Sequence, residues 1–275
     1  MRNLYQIYLI SDSTGETLDR IFLALKAQFP NFEYETNNFS FTRTESQTLS
    51  ILKQAREDKN SIILYTIVNS KLAKYLTEKA YERNIPCFGV LGDLILNFSK
   101  VLNQKASHQP SGQHILNEEY YDRIEAIQFT MNHDDGNQTD DIEKSDIILL
   151  GVSRTSKTPT SIYLANRGFK TSNIPLVNKD SIPSKVMKKN FMPCVVGLVT
   201  EAERLYDLRK NRLTSLKEDQ NSEYVNIDKI RDELDSARKI FKENNWPTID
   251  VTRKSVEETA ASVIKIYEIK SKKNA

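Results

Sequence analysis

The sequence predicts an α/β chain in two parts, and three observations support that reading. Apolar runs of strand length alternate with amphipathic helical patterns through both halves, the order that builds parallel sheets covered by helices. A polar, turn-rich stretch, Asn103-Gln104-Lys105-Ala106-Ser107-His108-Gln109-Pro110-Ser111-Gly112, interrupts the alternation. The second half then restarts it: the apolar run Asp146-Ile147-Ile148-Leu149-Leu150 leads straight into Gly151-Val152-Ser153-Arg154-Thr155-Ser156-Lys157-Thr158. The division falls at residues 1–105 for an open N-terminal α/β domain, 106–144 for a linker and helix, and 145–275 for a P-loop-kinase-like α/β domain.

The elements follow in order. Strands are expected at Tyr5–Ile10, Ser61–Val68 and Cys87–Val90, with the more polar Tyr34–Phe41 as an edge strand. Helices are expected at Thr17–Phe29, where Leu18, Ile21, Phe22, Leu25 and Phe29 share a face, at Glu45–Glu57 and at Lys71–Arg83. A further helix is expected over Leu116–Met131, before the polar run from Asn132 to Asp141. The second half offers strands at Ile147–Leu150, Ile174–Val177, Cys194–Leu198 and Thr248–Val251. Its helices begin at Pro159, which fits a first helical turn, at Ile227–Phe241, and after Ser255-Val256-Glu257-Glu258, which has capping-box spacing. Gly168 marks the expected stop of the helix after the loop. No repeat of fixed period is visible.

Composition narrows the function. Across 275 residues, 39 lysines and arginines against 37 acidic residues leave a net charge of +2, too little to steer the chain to nucleic acid or an anionic membrane. No window holds the ~18 apolar residues of a membrane span, and Met1-Arg2-Asn3-Leu4 runs into a strand without a signal-type stretch. Cys87 and Cys194 have neither metal-ligand nor disulfide spacing, as expected of a reducing, cytoplasmic setting.

The segment from Gly151 to Thr158 points to phosphate. Between a strand and a helix it presents backbone N–H groups and a lysine to a nucleotide's phosphates. In the generic form a second glycine stands where this chain has Ser156, and a non-glycine in a left-handed conformation there costs ~1–2 kcal/mol. Lys157 is assigned to the terminal phosphates, Arg154 to a bidentate phosphate contact, Thr158 to a Mg²⁺ ligand, and the amides of Ser153 to Lys157 to the cradle. The bland alternative is a hydroxyl-rich turn with ordinary capping.

Weaker candidates surround it. Ser11-Asp12-Ser13-Thr14-Gly15-Glu16 is a second hydroxyl-rich turn after a strand; an anion is one reading, but Asp12 opposes it, and a cap by Ser13 closed by Glu16 is the other. Asp134 and Asp135, after His133, can hold Mg²⁺ or accept a proton from an attacking hydroxyl, or can simply be solvated. Arg204, Arg209 and Arg212 have the spacing for two of them to share a helical face and neutralise a transferring phosphoryl group, or to lie flat on the surface. Thr252 and Arg253 can line the base end of a nucleotide pocket. His108 and His114 have no partner evident from sequence.

With these motifs assembled, the chain resembles the bacterial pyruvate, phosphate dikinase regulatory proteins, a family that includes the phosphoenolpyruvate synthase regulators. The resemblance rests on Ile10-Ser11-Asp12-Ser13-Thr14-Gly15-Glu16-Thr17, on Asp134-Asp135-Gly136, on Gly151 through Pro159, on Tyr163-Leu164-Ala165-Asn166 with Gly168, on Pro175-Leu176-Val177, and on Ile249-Asp250-Val251-Thr252 with Ser255 and Glu257-Glu258-Thr259-Ala260. Ser156 belongs to this family's version of the loop, whereas Pro110-Ser111-Gly112 departs from its proline-glycine turn. The resemblance implies a bifunctional regulator that phosphorylates a threonine of the dikinase with ADP and reverses this with orthophosphate, releasing pyrophosphate. It places the nucleotide at Gly151 to Thr158. Orthophosphate is expected at Ser11, Ser13, Thr14 and Gly15, and the catalytic groups are expected to be Lys157, Arg154 and a carboxylate of Asp134 or Asp135. A homodimer is left open. The alternatives are a synthase regulator of the same type, a small-metabolite P-loop kinase, and a nucleotide-sensing module without catalysis.

Overall fold

Two four-stranded parallel sheets account for the alternation among the described residues, which in this computed structural model are 4–114, 116–177, 181–188, 190–216 and 223–274. The reading of Met1 to Asn3 lies outside them. The chain divides into the units Met1–Ile115 and Leu116–Ala275. The segment 106–144 is therefore shared: its first residues group with the first unit, and the rest with the second.

In the first unit β1 (Tyr5–Ser11), β2 (Tyr34–Phe39), β3 (Ser61–Thr66) and β4 (Cys87–Gly89) stand in the order β2-β1-β3-β4. The helices are α1 (Glu16–Lys26), α2 (Glu45–Glu57), α3 (Ser70–Tyr81) and α4 (Gly92–Leu102). Alternation along β1 feeds both faces, as a covered parallel strand must. Ile7 and Leu9 pack with Leu18 and Phe22 of α1, while Tyr8 and Ile10 pack with Leu52 of α2 and Leu76 of α3. The polar strand β2 lies at an edge. The sequence reading assigns no element to α4. This helix starts at Leu91 without a side-chain cap and buries none of its residues, so neither capping nor an inward stripe announces it.

The second unit repeats the strand order with β5 (Ile147–Gly151), β6 (Thr171–Pro175), β7 (Cys194–Val199) and β8 (Thr248–Asp250), arranged β6-β5-β7-β8. Its helices are α5 (Glu118–Asn132), α6 (Lys157–Ala165), α7 (Ala202–Leu216), α8 (Ile227–Glu243) and α9 (Val256–Asn274). Ile147 and Leu149 point to Leu164 of α6 and Val263 of α9; Ile148 and Leu150 point to Leu205 of α7 and to Leu234 and Phe241 of α8. Gly197 in β7 is demanded by that second layer, because a Cβ there would sit 2.5 Å from the Phe241 ring.

The capping signals at the ends of α6 and α9 hold. Ser255 Oγ accepts the Glu258 N–H at 3.1 Å while the Glu258 carboxylate accepts the Ser255 N–H at 2.8 Å. Gly168 turns the chain at φ +87°. One strand is displaced from expectation: β6 covers Thr171–Pro175 and not Ile174–Val177, pairing Ile147 with Thr171 and Gly151 with Pro175. Its polar residues tolerate burial because each finds a partner. The Thr171 N–H donates to Thr130 Oγ1 at 3.0 Å, and the Ser172 and Ser145 hydroxyls lie 2.7 Å apart.

In both sheets the chain leaves the first strand for a neighbour on one side and later returns to its other side. The crevice outside the carboxyl ends at that reversal is where open α/β sheets bind ligands. In the second unit the loop at that place is the one between β5 and α6.

Candidate active site

The β5–α6 loop is shaped by close backbone approach. A Cβ at Gly151 would meet Thr155 Oγ1 at 2.6 Å and the Leu198 carbonyl oxygen at 2.7 Å, so only glycine lets the strand end there. Thr155 Oγ1 donates to the Val152 carbonyl at 2.9 Å and folds the loop back on itself. Arg154 and Ser156 both take positive φ, +74° and +60°, so Ser156 occupies the left-handed position that the generic loop gives to glycine. Ser156 is the N-cap of α6 and makes no side-chain cap. The first amides of α6 therefore lack intrahelical acceptors and are open to an anion. The helix begins at Lys157, two residues before the expected Pro159.

Lys157 is only 5% exposed, and its ammonium donates to the Val152 carbonyl oxygen at 3.1 Å. Burial, aided by Arg154 and Arg209, pulls its pKa down to about 8 against the opposing pull of Asp135 and Asp134. The loop thus holds a desolvated cation whose charge is available to a ligand but poorly stabilised without one.

The acidic turn is brought to this loop. Thr158 Oγ1 donates to Asp134 Oδ1 at 3.0 Å. The Asn173 amide of β6 donates to the same carboxylate oxygen, and its own oxygen accepts the Asp135 N–H at 3.0 Å. The Asn173 N–H in turn donates to the His133 carbonyl at 3.2 Å. Asn173 therefore anchors the whole turn, and sequence reasoning missed it. The only signal is a polar run, Thr171-Ser172-Asn173, directly ahead of the expected strand Ile174–Val177. His133 is structural: its ring nitrogens lie 2.7 Å from the Phe129 carbonyl oxygen and 2.8 Å from Asp141 Oδ1, and the hydrogen bond from His133 holds the Asp141 carboxyl below the usual carboxylate range.

Around the loop opens a cleft of about 420 Å³, lined by Asp135, Ser153, Arg154, Ser156, Lys157 and Thr158, by Pro175, and by the α7 residues Leu208, Asn211, Arg212 and Ser215. That volume lies within the ~300–1,000 Å³ of small-molecule sites. Gly151, Val152 and Thr155 stand behind the lining as supports. Thr252 is not in the lining: its hydroxyl accepts the Glu201 N–H at 2.9 Å and donates to Asp250 at 2.6 Å, fixing the start of α7.

The three arginines of α7 have different surroundings. Arg209 is 1% exposed, paired with Glu233 at 2.6 Å and stacked on the Tyr224 ring at 4.5 Å. Arg204 is exposed outside the cleft, and Arg212 lines it.

The candidates Ser11, Ser13 and Gly15 line a smaller cavity of the first unit, about 180 Å³, with Asp12, Thr17, Thr66 and Ser111. Thr14 is set beside it, its hydroxyl 3.4 Å from the His114 ring. The expected cap by Ser13 and Glu16 does not form. The N-cap of α1 is Gly15 at φ +92°, without a side-chain cap, and the Ser13 N–H donates to Ser11 Oγ at 3.1 Å. His108 has a partner, the Val68 carbonyl oxygen at 2.7 Å.

The sequence profile of the kinase/pyrophosphorylase family matches residues 7–264. The chain belongs to the kinase/pyrophosphorylase family. As a kinase/pyrophosphorylase it is an enzyme of phosphoryl transfer with kinase and phosphorylase activity, and the match runs from β1 into α9. It is 67% identical over 269 residues to a Pelagibacter ubique protein provisionally named a pyruvate, phosphate dikinase regulatory protein, covering 98% of each chain. Proteins given the same provisional name are 47% identical in Sphingopyxis alaskensis, over 95% of this chain and 96% of that one, and 42% identical in Erythrobacter litoralis, over 95% and 93%.

Proposed function

We propose that this kinase/pyrophosphorylase regulates pyruvate, phosphate dikinase by phosphorylating a threonine of that enzyme with ADP as donor, and that it reverses the modification with orthophosphate. The observation behind this reading is the cleft in which the uncapped α6 terminus, Lys157, Arg154 and the Asp134–Asp135 turn meet. The names of relatives that align along nearly the whole chain supply the target.

In the forward direction the threonine oxygen attacks the β-phosphorus of ADP. The bond from that phosphorus to the bridging oxygen breaks, and AMP leaves with the electron pair. Lys157 and Arg154 neutralise charge on the transferred group, and the loop amides hold its oxygens. Asp134 is committed to Thr158 and Asn173, which makes Asp135, at the cleft wall, the carboxylate that orients the hydroxyl and takes its proton. In reverse, an orthophosphate oxygen attacks the phosphothreonine phosphorus, the threonine oxygen recovers a proton, and pyrophosphate departs. The first unit's small cavity at Ser11 to Gly15 is the orthophosphate site of this reading, with room for a small hydrated ion.

The Thr158 hydroxyl and the Asp134 carboxylate, 3.0 Å apart, form the oxygen-only pair that suits Mg²⁺ beside a phosphate; the ion would supply further charge neutralisation. We place this activity in the cytoplasm, in keeping with the composition. Among the described residues no helix is long and apolar enough to cross a membrane.

ADP labelled in its β-phosphoryl group tests the reading. Label should move to a threonine of purified dikinase and should be released as pyrophosphate when orthophosphate is added. Transfer to a small metabolite instead would favour the metabolite-kinase alternative, and binding without transfer would remove catalysis altogether.

A further inference from the structure

Helix α7 presents two stripes that differ in kind. Leu205, Arg209 and Leu213 recur every four residues and are all buried. Leu208, Asn211, Arg212 and Ser215 form the adjoining stripe, which makes one wall of the cleft. The phase of the helix is set by Arg209. Its guanidinium bonds to both Glu233 oxygens, at 2.6 and 3.2 Å, and to the Tyr224 carbonyl at 3.1 Å. Rolling α7 would uncouple this pair and leave the Arg209 charge buried without its partner. The Tyr224 hydroxyl lies 3.0 Å from Ser153 Oγ, so the same assembly reaches the β5–α6 loop.

Arg212 is the cation that this locked helix carries into the cleft. Three cations, Lys157, Arg154 and Arg212, share the lining with one carboxylate, Asp135, a balance suited to a diphosphate. Lys157 and Arg154 come from the loop itself, whereas Arg212 comes from the α7 wall. Among the described residues it makes no ion pair that would hold it back from a ligand. A guanidinium is always charged and offers a planar fork of donors to phosphate oxygens.

We infer that Arg212 is a catalytic residue that contacts the transferred phosphoryl group from the α7 wall of the cleft, while Arg209, its buried neighbour, positions it. This inference rests on the nucleotide reading given above. It adds a donor supplied by a helix to the cation set supplied by the loop. The group it neutralises is the β-phosphoryl while the bond to the bridging oxygen of AMP breaks and the bond to the threonine oxygen forms.

The test compares Arg212→Ala, Arg212→Lys and Arg204→Ala in the full-length protein, with ADP and dikinase as substrates and Lys157→Ala as the reference loss. Arg212→Ala should lower kcat by at least ~100-fold while the KM for ADP moves less than about threefold. Arg212→Lys should recover only a small part, because an ammonium lacks the fork. Arg204→Ala should behave as the parent. Because Arg212 is exposed, the variants should keep the parental thermal midpoint, and Arg212→Gln serves as a second neutral variant. Parental kcat in Arg212→Ala, or a loss confined to KM, overturns the assignment of Arg212 alone if Lys157→Ala is inactive. Transfer surviving in Lys157→Ala instead overturns the nucleotide reading of the loop, and the inference with it.

Discussion

Replacing Lys157 by methionine is expected to abolish phosphoryl transfer and, at the same time, to make the second unit more stable. Both effects follow from one fact: an ammonium held 5% exposed. Its pKa is pulled from 10.5 to about 8, and a displacement of that size corresponds to roughly 3–3.5 kcal/mol spent on keeping the charge in the folded state at neutral pH. Methionine fills a similar volume without charge. The Val152 carbonyl that loses the lysine keeps the Thr155 hydroxyl as donor, so no acceptor is stranded.

The pH dependence fixes the sign. Between about 8 and 10.5 the unfolded chain still binds the proton that the folded lysine has lost, so parental stability rises with pH across that window. The advantage of Lys157→Met should therefore be full at pH 7, shrink above pH 8 and vanish near pH 10.5. Thermal unfolding across this range checks it, with a midpoint gain of several degrees expected at pH 7. A variant no more stable than the parent at pH 7 would show that the carboxylates of Asp134 and Asp135 already compensate the buried charge. Such opposition between stability and activity is usual where a site stores an unfavourable charge.

Asn173→Ala should give the largest loss. It removes the donor to Asp134 and the acceptor of the Asp135 N–H in one step, and each buried group left without a partner costs ~1–3 kcal/mol. We expect destabilisation of about 2–4 kcal/mol and a fall in turnover of at least ~100-fold, since the acidic turn loses both side-chain ties to β6 and keeps only the backbone bond from the Asn173 N–H to the His133 carbonyl. Asn173→Asp is the sharper control. It is nearly isosteric but sets a second carboxylate against Asp134, and should be worse than alanine. Turnover and thermal midpoint measured together decide the matter, and parental values for both would mean that the turn holds its own shape.

Much of this was legible in the residues. The apolar runs of β1 and β5, the box at Ser255–Glu258 and the stop at Gly168 were readable because each is a local signal with a local cause. The loop from Gly151 to Thr158 was readable as a string, and the left-handed backbone of Ser156 appears where the missing glycine implied strain. Long-range partnership was not readable. Asn173 looks like a loop residue until the turn 38 positions earlier is seen to bond to it, and β6 was displaced for the same reason. Nor can spacing separate Arg209 from Arg212, because the difference lies in Glu233 on another helix. The absence of a cap on α1 was likewise hidden, because Ser13 and Glu16 have the right spacing and the wrong geometry.

The two sheets each carry their own pair of buried apolar layers. Each unit is expected to melt as its own cooperative body, so that no single free energy would describe denaturation of the whole polypeptide. A calorimetric trace of this enzyme is expected to resolve into two endotherms, of which substitutions at 157 or 173 displace one while the other serves as an internal standard.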